Sequence, residues 1–141
     1  MNLFEKNAYE LSDMLKNKEI SSVELTNSVF ERIEKIEDKV EAYTTIVKES
    51  ALKTAQEIDE KIAKGEKLHP LAGIPIGIKD NISTKGIKTT CSSRMLENYV
   101  PPFNATVIEK INNTGMVITG KLNMDEFAMG SSTENSYFKK T

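Results

Sequence analysis

The feature that most constrains this chain's fold is a change of composition near residue 67. Ahead of it stand 15 acidic and 11 basic residues with one glycine and no proline; beyond it stand 6 acidic and 8 basic residues, six glycines and all four prolines. Glycine and proline interrupt helices and punctuate turns, so the charged segment is built for helix and the later one for short elements joined by loops. The chain has 141 residues, 38% hydrophobic and 28% charged, which is enough for one ordinary core. A net charge of −2 argues against a surface of positive potential, so a primary nucleic-acid-binding module is not expected. The start MNLFEKNAYELSDML lacks a basic stretch followed by an apolar run, and no segment is long and apolar enough to span a bilayer, so neither a secretory signal nor a membrane anchor is expected. One cysteine, Cys91, and one histidine, His69, cannot assemble a thiolate or imidazole metal centre of the usual kind, and a lone cysteine suits a reducing cytoplasm.

Helical periodicity runs through the first half. Phe4, Ala8, Leu11 and Leu15 recur at helical spacing over residues 3–16. Ser21 stands three residues before Glu24, a capping-box pattern that opens a second helix with an inward stripe of Val29, Ile33, Ile36 and Val40. Residues 42–47, AYTTIV, have the content of a short extended segment. A third helix is expected over residues 49–64, with Ala51, Ala55, Ile58 and Ile62 inward and Gly65 ending it. In the second half Ile74, Ile76 and Ile78 alternate with Pro75, Gly77 and Lys79, which argues for a strand. After the Pro101-Pro102 break, Asn104 or Thr106 can cap a helix carrying Val107, Ile108 and Ile111, ended by Gly115. Residues 116–119, MVIT, read as a second strand. Strand, helix and strand in this order suggest a right-handed parallel crossover and the start of an α/β sheet.

Lys79 is the first residue with chemical promise, because it closes a run without charge at the end of a predicted strand, where α/β sheets place their sites. A lysine in desolvated surroundings loses preference for its charged form and becomes a usable base; a shift of about 3 units needs about 4 kcal/mol of differential environment. The competing reading is a lysine whose stem packs while its ammonium reaches solvent. Asp80 is either a turn residue or the partner of a nearby cation. The segment 120–136, GKLNMDEFAMGSSTENS, reads as a loop of small and polar residues able to line a pocket. Ser131 and Ser132 lie outside any Gly-x-Ser-x-Gly elbow, so a self-contained serine hydrolase is not expected. Asp125 and Glu126 are adjacent, which suits first-turn carboxylates or hydrogen-bond anchors better than a paired acid and base. Cys91 in TTCSS and His69 before Pro70 read as packed or surface residues.

Three stretches together, LAGIPIGIKDNI at 71–82, TTCSS at 89–93 and GKLNMDEFAMGSSTENSYF at 120–138, resemble the amidase signature family. Within it they are most similar to the A subunits of bacterial glutamyl-tRNA(Gln) amidotransferases. IGIKDN alone would mark only an amidase, and NMDEFAMGSSTENS points to the transamidating subunits. The resemblance covers essentially the whole chain, with its specific part in the second half.

The resemblance implies an α/β fold: N-terminal helices over residues 1–66, then over 67–141 the first part of a catalytic core, the start of a mixed, largely parallel sheet flanked by helices. It implies a Ser-cisSer-Lys triad in which Lys79 is the general base, relaying a proton from a bridging serine that activates a nucleophilic serine. It places Met129, Gly130 and Ser131 along the substrate pocket. The Gly/Ser-rich stretch that carries both serines is not among these residues, so both are expected beyond Thr141, in a longer protein, and the 141-residue chain is expected to be inactive alone. Implied partners are the B and C subunits of a heterotrimer, with glutamine as substrate and Glu-tRNA(Gln) held mainly by the B subunit. No cofactor is expected on this chain itself, whereas the whole complex uses ATP and Mg²⁺. Two alternatives stay open: part of a standalone amidase acting on a small amide, and a non-catalytic helical binding module built on the stripes of residues 1–64.

Overall fold

The computed structural model describes residues 2–141. Four helices, α1 (Ala8–Lys16), α2 (Ser22–Val40), α3 (Lys48–Ala63) and α4 (Thr106–Thr114), accompany three strands, β1 (Tyr43–Ile46), β2 (Pro75–Lys79) and β3 (Val117–Leu122). The strands form one sheet in the order β1-β3-β2, with β1 antiparallel to β3. The rungs between β2 and β3 advance together along both strands, Gly73 N–H to Gly115 O, Val117 N–H to Ile74 O and Asp80 N–H to Leu122 O, so this pair is parallel and the sheet is mixed. The α/β class expected from the sequence is the one observed.

The chain divides into two compact units. The first gathers residues up to Lys35, Val47–Ile76 and Ile111–Thr119. Its core is Leu11, Leu15, Leu25 and Ile74, packed by Leu3, Ile20 and Met116. The first helix is shorter than its periodicity predicts. Leu3–Glu5 forms a separate 3₁₀ turn, and Asn7 and Glu10 exchange capping-box hydrogen bonds that restart the chain as α1. The second capping box is where it was expected: Glu24 N–H donates to Ser21 Oγ at 3.0 Å and Ser21 N–H to Glu24 Oε2 at 3.3 Å. The Asp59 carboxylate of α3 accepts from Ser22 N–H and Val23 N–H at 2.7 and 3.0 Å, satisfying free donors at the start of α2.

The inward stripe of α2 differs from the expected one. Ser22, Leu25, Thr26, Phe30 and Ile33 are buried, Val29 and Ile36 are half-buried, and Val40 is exposed. Phe30 is the largest apolar side chain on the helix, and burial gain scales with apolar area, so the face that carries it turns inward. In α3, Ala51, Ala55 and Ile58 are buried as expected, whereas Ile62 is half-buried; in α4 only Ile108 is buried. Gly65 and Gly115 end α3 and α4 with φ of +75° each, the left-handed conformation that glycine adopts without a steric cost.

The second unit comprises Ile36–Ile46, Gly77–Lys110 and Gly120–Thr141. Here β1 meets the end of β3 in the register Tyr43 with Leu122, Thr45 with Lys121 and Ile46 with Gly120, with an irregularity between Tyr43 and Thr45. A Cβ on Gly120 would overlap the Thr45 carbonyl oxygen, so this close strand approach requires glycine. β3 therefore runs three residues past the predicted strand, and Gly120, Lys121 and Leu122 belong to the sheet and not to the loop after it.

Candidate active site

β2 delivers Lys79 to its end with the side chain exposed, and the next residue, Asp80, is fully buried. The strand alternation that places Ile78 inside turns Lys79 out, and the turn that follows folds Asp80 inward. Backbone hydrogen bonds tie down the chain around this pair. Ile82 N–H donates to Lys79 O, Asp80 N–H to Leu122 O and Cys91 N–H to Asp80 O, each at 3.0 Å. The Thr90 hydroxyl donates to Asp80 Oδ2.

The desolvated lysine of the second unit is Lys121, on β3. Its side chain is fully buried, and its ammonium donates to Ile82 O at 2.8 Å and to Thr89 Oγ1 at 2.7 Å. Asp80 Oδ1 lies 3.7 Å from Lys121 Nζ, an ion pair with both side chains out of water. Burial pushes the Lys121 ammonium below the ordinary lysine range, and the Asp80 charge opposes that shift. Asp80 is thus the partner of a nearby cation, one of its two expected roles. Lys121 was not singled out from the sequence. The signal was a lysine between Gly120 and Leu122, which reads as loop until the pairing with β1 shows it to be strand.

Residues 89–93 line the same centre. Thr89, Thr90, Ser92 and Ser93 are buried, and burial raises the Cys91 thiol, with Asp80 adding to the rise and Lys121 opposing it. This agrees with a packed, unreactive thiol. Ser92 Oγ accepts from Met124 N–H at 3.2 Å and donates to Asn123 Oδ1 at 3.1 Å. Tyr137 N–H donates to Ser92 O at 2.9 Å, and the Ser93 hydroxyl donates to Glu126. The TTCSS and NMDEFAMGSSTENS stretches, well separated in sequence, are therefore one hydrogen-bonded body.

Asp125 anchors the loop that carries the expected pocket residues. Its carboxylate accepts from Ser132 N–H at 2.9 Å and from Thr133 and Asn135 N–H at 3.0 Å each. The backbone donors of Asn135 and Thr133 hold this carboxyl below the usual range; burial works the other way, and Ser132 N–H and the Lys79 charge add to the lowering. The expected role of Asp125 as a hydrogen-bond anchor is observed. A Cβ on Gly130 would run into the Asp125 carboxylate, so glycine is required there. Met129, Gly130 and Ser131 are exposed on this loop, and the Lys79 charge reaches its anchor. Five non-glycine residues here, Cys91, Ser92, Phe127, Ala128 and Thr133, have φ between 51° and 64°. Such backbone costs about 1–3 kcal/mol per residue and collects at functional sites.

The remaining expectations are placed as follows. His69 is exposed, and its Nδ1 accepts from Leu71 N–H at 3.1 Å within its own turn. Ser132 donates to the Glu134 carboxylate of its own loop at 2.9 Å. Among the described residues no group of three or more His, Cys, Asp and Glu side chains is arranged to hold a metal ion, and no helix is long and apolar enough to cross a membrane.

Comparison with known proteins agrees with the composition of this site. The family model described as Amidase matches residues 24–141. The A subunit of the glutamyl-tRNA(Gln) amidotransferase of Carboxydothermus hydrogenoformans is 57% identical over 141 residues, 100% of this chain and 29% of that protein. Its counterpart in Geotalea daltonii is 54% identical over the same shares. Among solved structures, the A subunit of the Thermotoga maritima glutamyl-tRNA(Gln) amidotransferase has a TM-score of 0.75 at 35% identity over 98% of this chain and 27% of that one. The native peptide amidase of Stenotrophomonas maltophilia has a TM-score of 0.84 at 28% identity over 92% of this chain and 27% of that one. The chain spans about 29% of the length of the curated relatives it matches. A family match over residues 24–141, joined to a shared fold, shows that the chain belongs to the Amidase family.

Proposed function

We propose that this chain is part of the glutamine-hydrolysing subunit of a tRNA-dependent amidotransferase, which supplies ammonia for converting Glu-tRNA(Gln) to Gln-tRNA(Gln). The observation that carries the reading is identity of 54–57% across the whole chain to proteins named as that subunit. The position of Lys79, at the end of β2 and within electrostatic reach of the Asp125-anchored loop, supports it.

Lys79 acts as general base: its amine takes the hydroxyl proton of a bridging serine, which in turn deprotonates the nucleophilic serine. That serine attacks the carboxamide carbon of glutamine, the C–N bond breaks and ammonia leaves, and water then releases glutamate from the acyl-enzyme. Both serines belong to the longer protein, in a Gly/Ser-rich stretch beyond Thr141, so these 141 residues alone do not turn over glutamine. Met129, Gly130 and Ser131 line the glutamine pocket. Residues 67–141 form the first part of the catalytic core and residues 1–66 its helical lead-in. ATP, Mg²⁺ and Glu-tRNA(Gln) belong to the B subunit, and a C subunit completes a heterotrimer in the cytoplasm.

The test is made in a protein spanning the full length of the relatives. Lys79→Ala should abolish both ammonia release from glutamine and acyl-enzyme formation; near-normal rates would remove Lys79 from the mechanism. A second reading, a standalone amidase for small amides, is favoured by the likeness to the peptide amidase. Turnover of small amides without dependence on any copurifying subunit would select it.

A further inference from the structure

We infer that Lys121 is a positioning residue for Lys79, acting through the buried turn and loop that hold the end of β2. The inference rests on the assignment of Lys79 as the base. Lys79 is exposed, and the part of it that the fold holds by hydrogen bonds is the backbone from which its side chain projects. That backbone is closed by the Ile82 N–H to Lys79 O bond, and Ile82 O in turn accepts from Lys121 Nζ at 2.8 Å. The same ammonium donates to Thr89 Oγ1 at 2.7 Å and lies 3.7 Å from Asp80 Oδ1. Lys121 thus joins the turn after Lys79, the 89–93 loop and the buried carboxylate beside Lys79.

The distribution of its contacts says what it is for. Asp80 Oδ1 receives no hydrogen bond, so Lys121 gives the carboxylate charge balance and directs its hydrogen bonds to Ile82 and Thr89. A fully buried ion pair is a poor source of net stability, because desolvation offsets the attraction, and its best attested use is to select one geometry. Here the geometry selected is that of the turn carrying Lys79. A base displaced by about 1 Å loses on the order of 100-fold in rate.

The experiment uses the full-length protein and measures glutamine turnover per folded molecule for Lys121→Met, Thr89→Val and Lys79→Ala. Lys121→Met should lower kcat at least tenfold with KM changed less than twofold, the pattern of an interaction that matters in the transition state and not in substrate binding. Thr89→Val keeps the ion pair and removes one acceptor, and should lower kcat severalfold with KM likewise unchanged. If Lys121→Met does not fold, Thr89→Val decides. A kcat within twofold of the parent, or a loss carried by KM, overturns the inference. An active Lys79→Ala protein would overturn the proposed base itself; an inactive one beside an unaffected Thr89→Val or folded Lys121→Met protein overturns only the positioning role.

Discussion

Replacing Lys121 with methionine keeps the length of the side chain and removes its charge, leaving Asp80 buried without a counter-ion. At 3.7 Å the attraction between the two groups is about 4 kcal/mol at an effective dielectric constant of about 20. Two hydrogen bonds from the ammonium are lost as well, but their acceptors are not stranded: Ile82 O also accepts from the Thr84 hydroxyl and Thr89 Oγ1 also donates to Ile87 O. The dominant cost is therefore the uncompensated carboxylate, and breaking a buried pair by removing one partner costs about 3–5 kcal/mol. Asp80→Asn should cost less, because the Lys121 ammonium keeps two acceptors. The double variant removes both charges, so its cost should fall short of the sum of the single costs by at least about 2 kcal/mol. Urea unfolding with matched m-values measures all three differences. Costs that add to within about 0.5 kcal/mol would show that the two charges do not stabilise one another, and the reasoning would fail.

Three further outcomes follow from the same geometry. Gly120→Ala should destabilise the protein by about 1–3 kcal/mol, since the new Cβ meets the Thr45 carbonyl oxygen across the β1-β3 pair; thermal denaturation checks this. Because the folded Asp125 carboxyl is held below its ordinary value of 3.8, the order it gives the 130–135 loop is fully present above that pH and is lost as pH falls through the depressed value. The protection factors of the Ser132, Thr133 and Asn135 amides, exchange taken relative to the pH-dependent intrinsic rate, should therefore hold from neutrality to about pH 4 and fall on further acidification; protection lost already near pH 5–6 would contradict it. Finally, the raised thiol of Cys91 should alkylate more slowly at pH 7–8 than an unstructured cysteine, and labelling at the unstructured rate would show that it is neither buried nor beside Asp80.

Most of the local architecture is legible in sequence because its causes lie within a few residues. The Ser21 and Glu24 capping box, the left-handed glycines at 65 and 115, and the β1 and β2 segments are all found where local pattern places them. The errors have equally physical origins. Val40 looks inward by spacing alone, but Phe30 and Leu25 bring more apolar area to the neighbouring face. Gly120-Lys121 has loop composition, yet β1, more than 70 residues earlier, pairs with it and makes it strand. The Asn7 cap divides what periodicity reads as one helix.

Helical period, strand alternation and contiguous motifs are local properties of a chain, which is why the class of fold and the family can be read without coordinates. Which lysine is buried cannot be read that way. Desolvation and charge pairing depend on what packs around a side chain, and the groups around Lys121 come from Asp80, Ile82 and Thr89, 32–41 positions away. The anchoring by Asp125 likewise arises only on folding, since its three donors lie seven to ten residues downstream and converge when the loop closes. Lys79 stands out as a candidate from its neighbours in sequence. The buried ion pair beside it could be found only from neighbours in space.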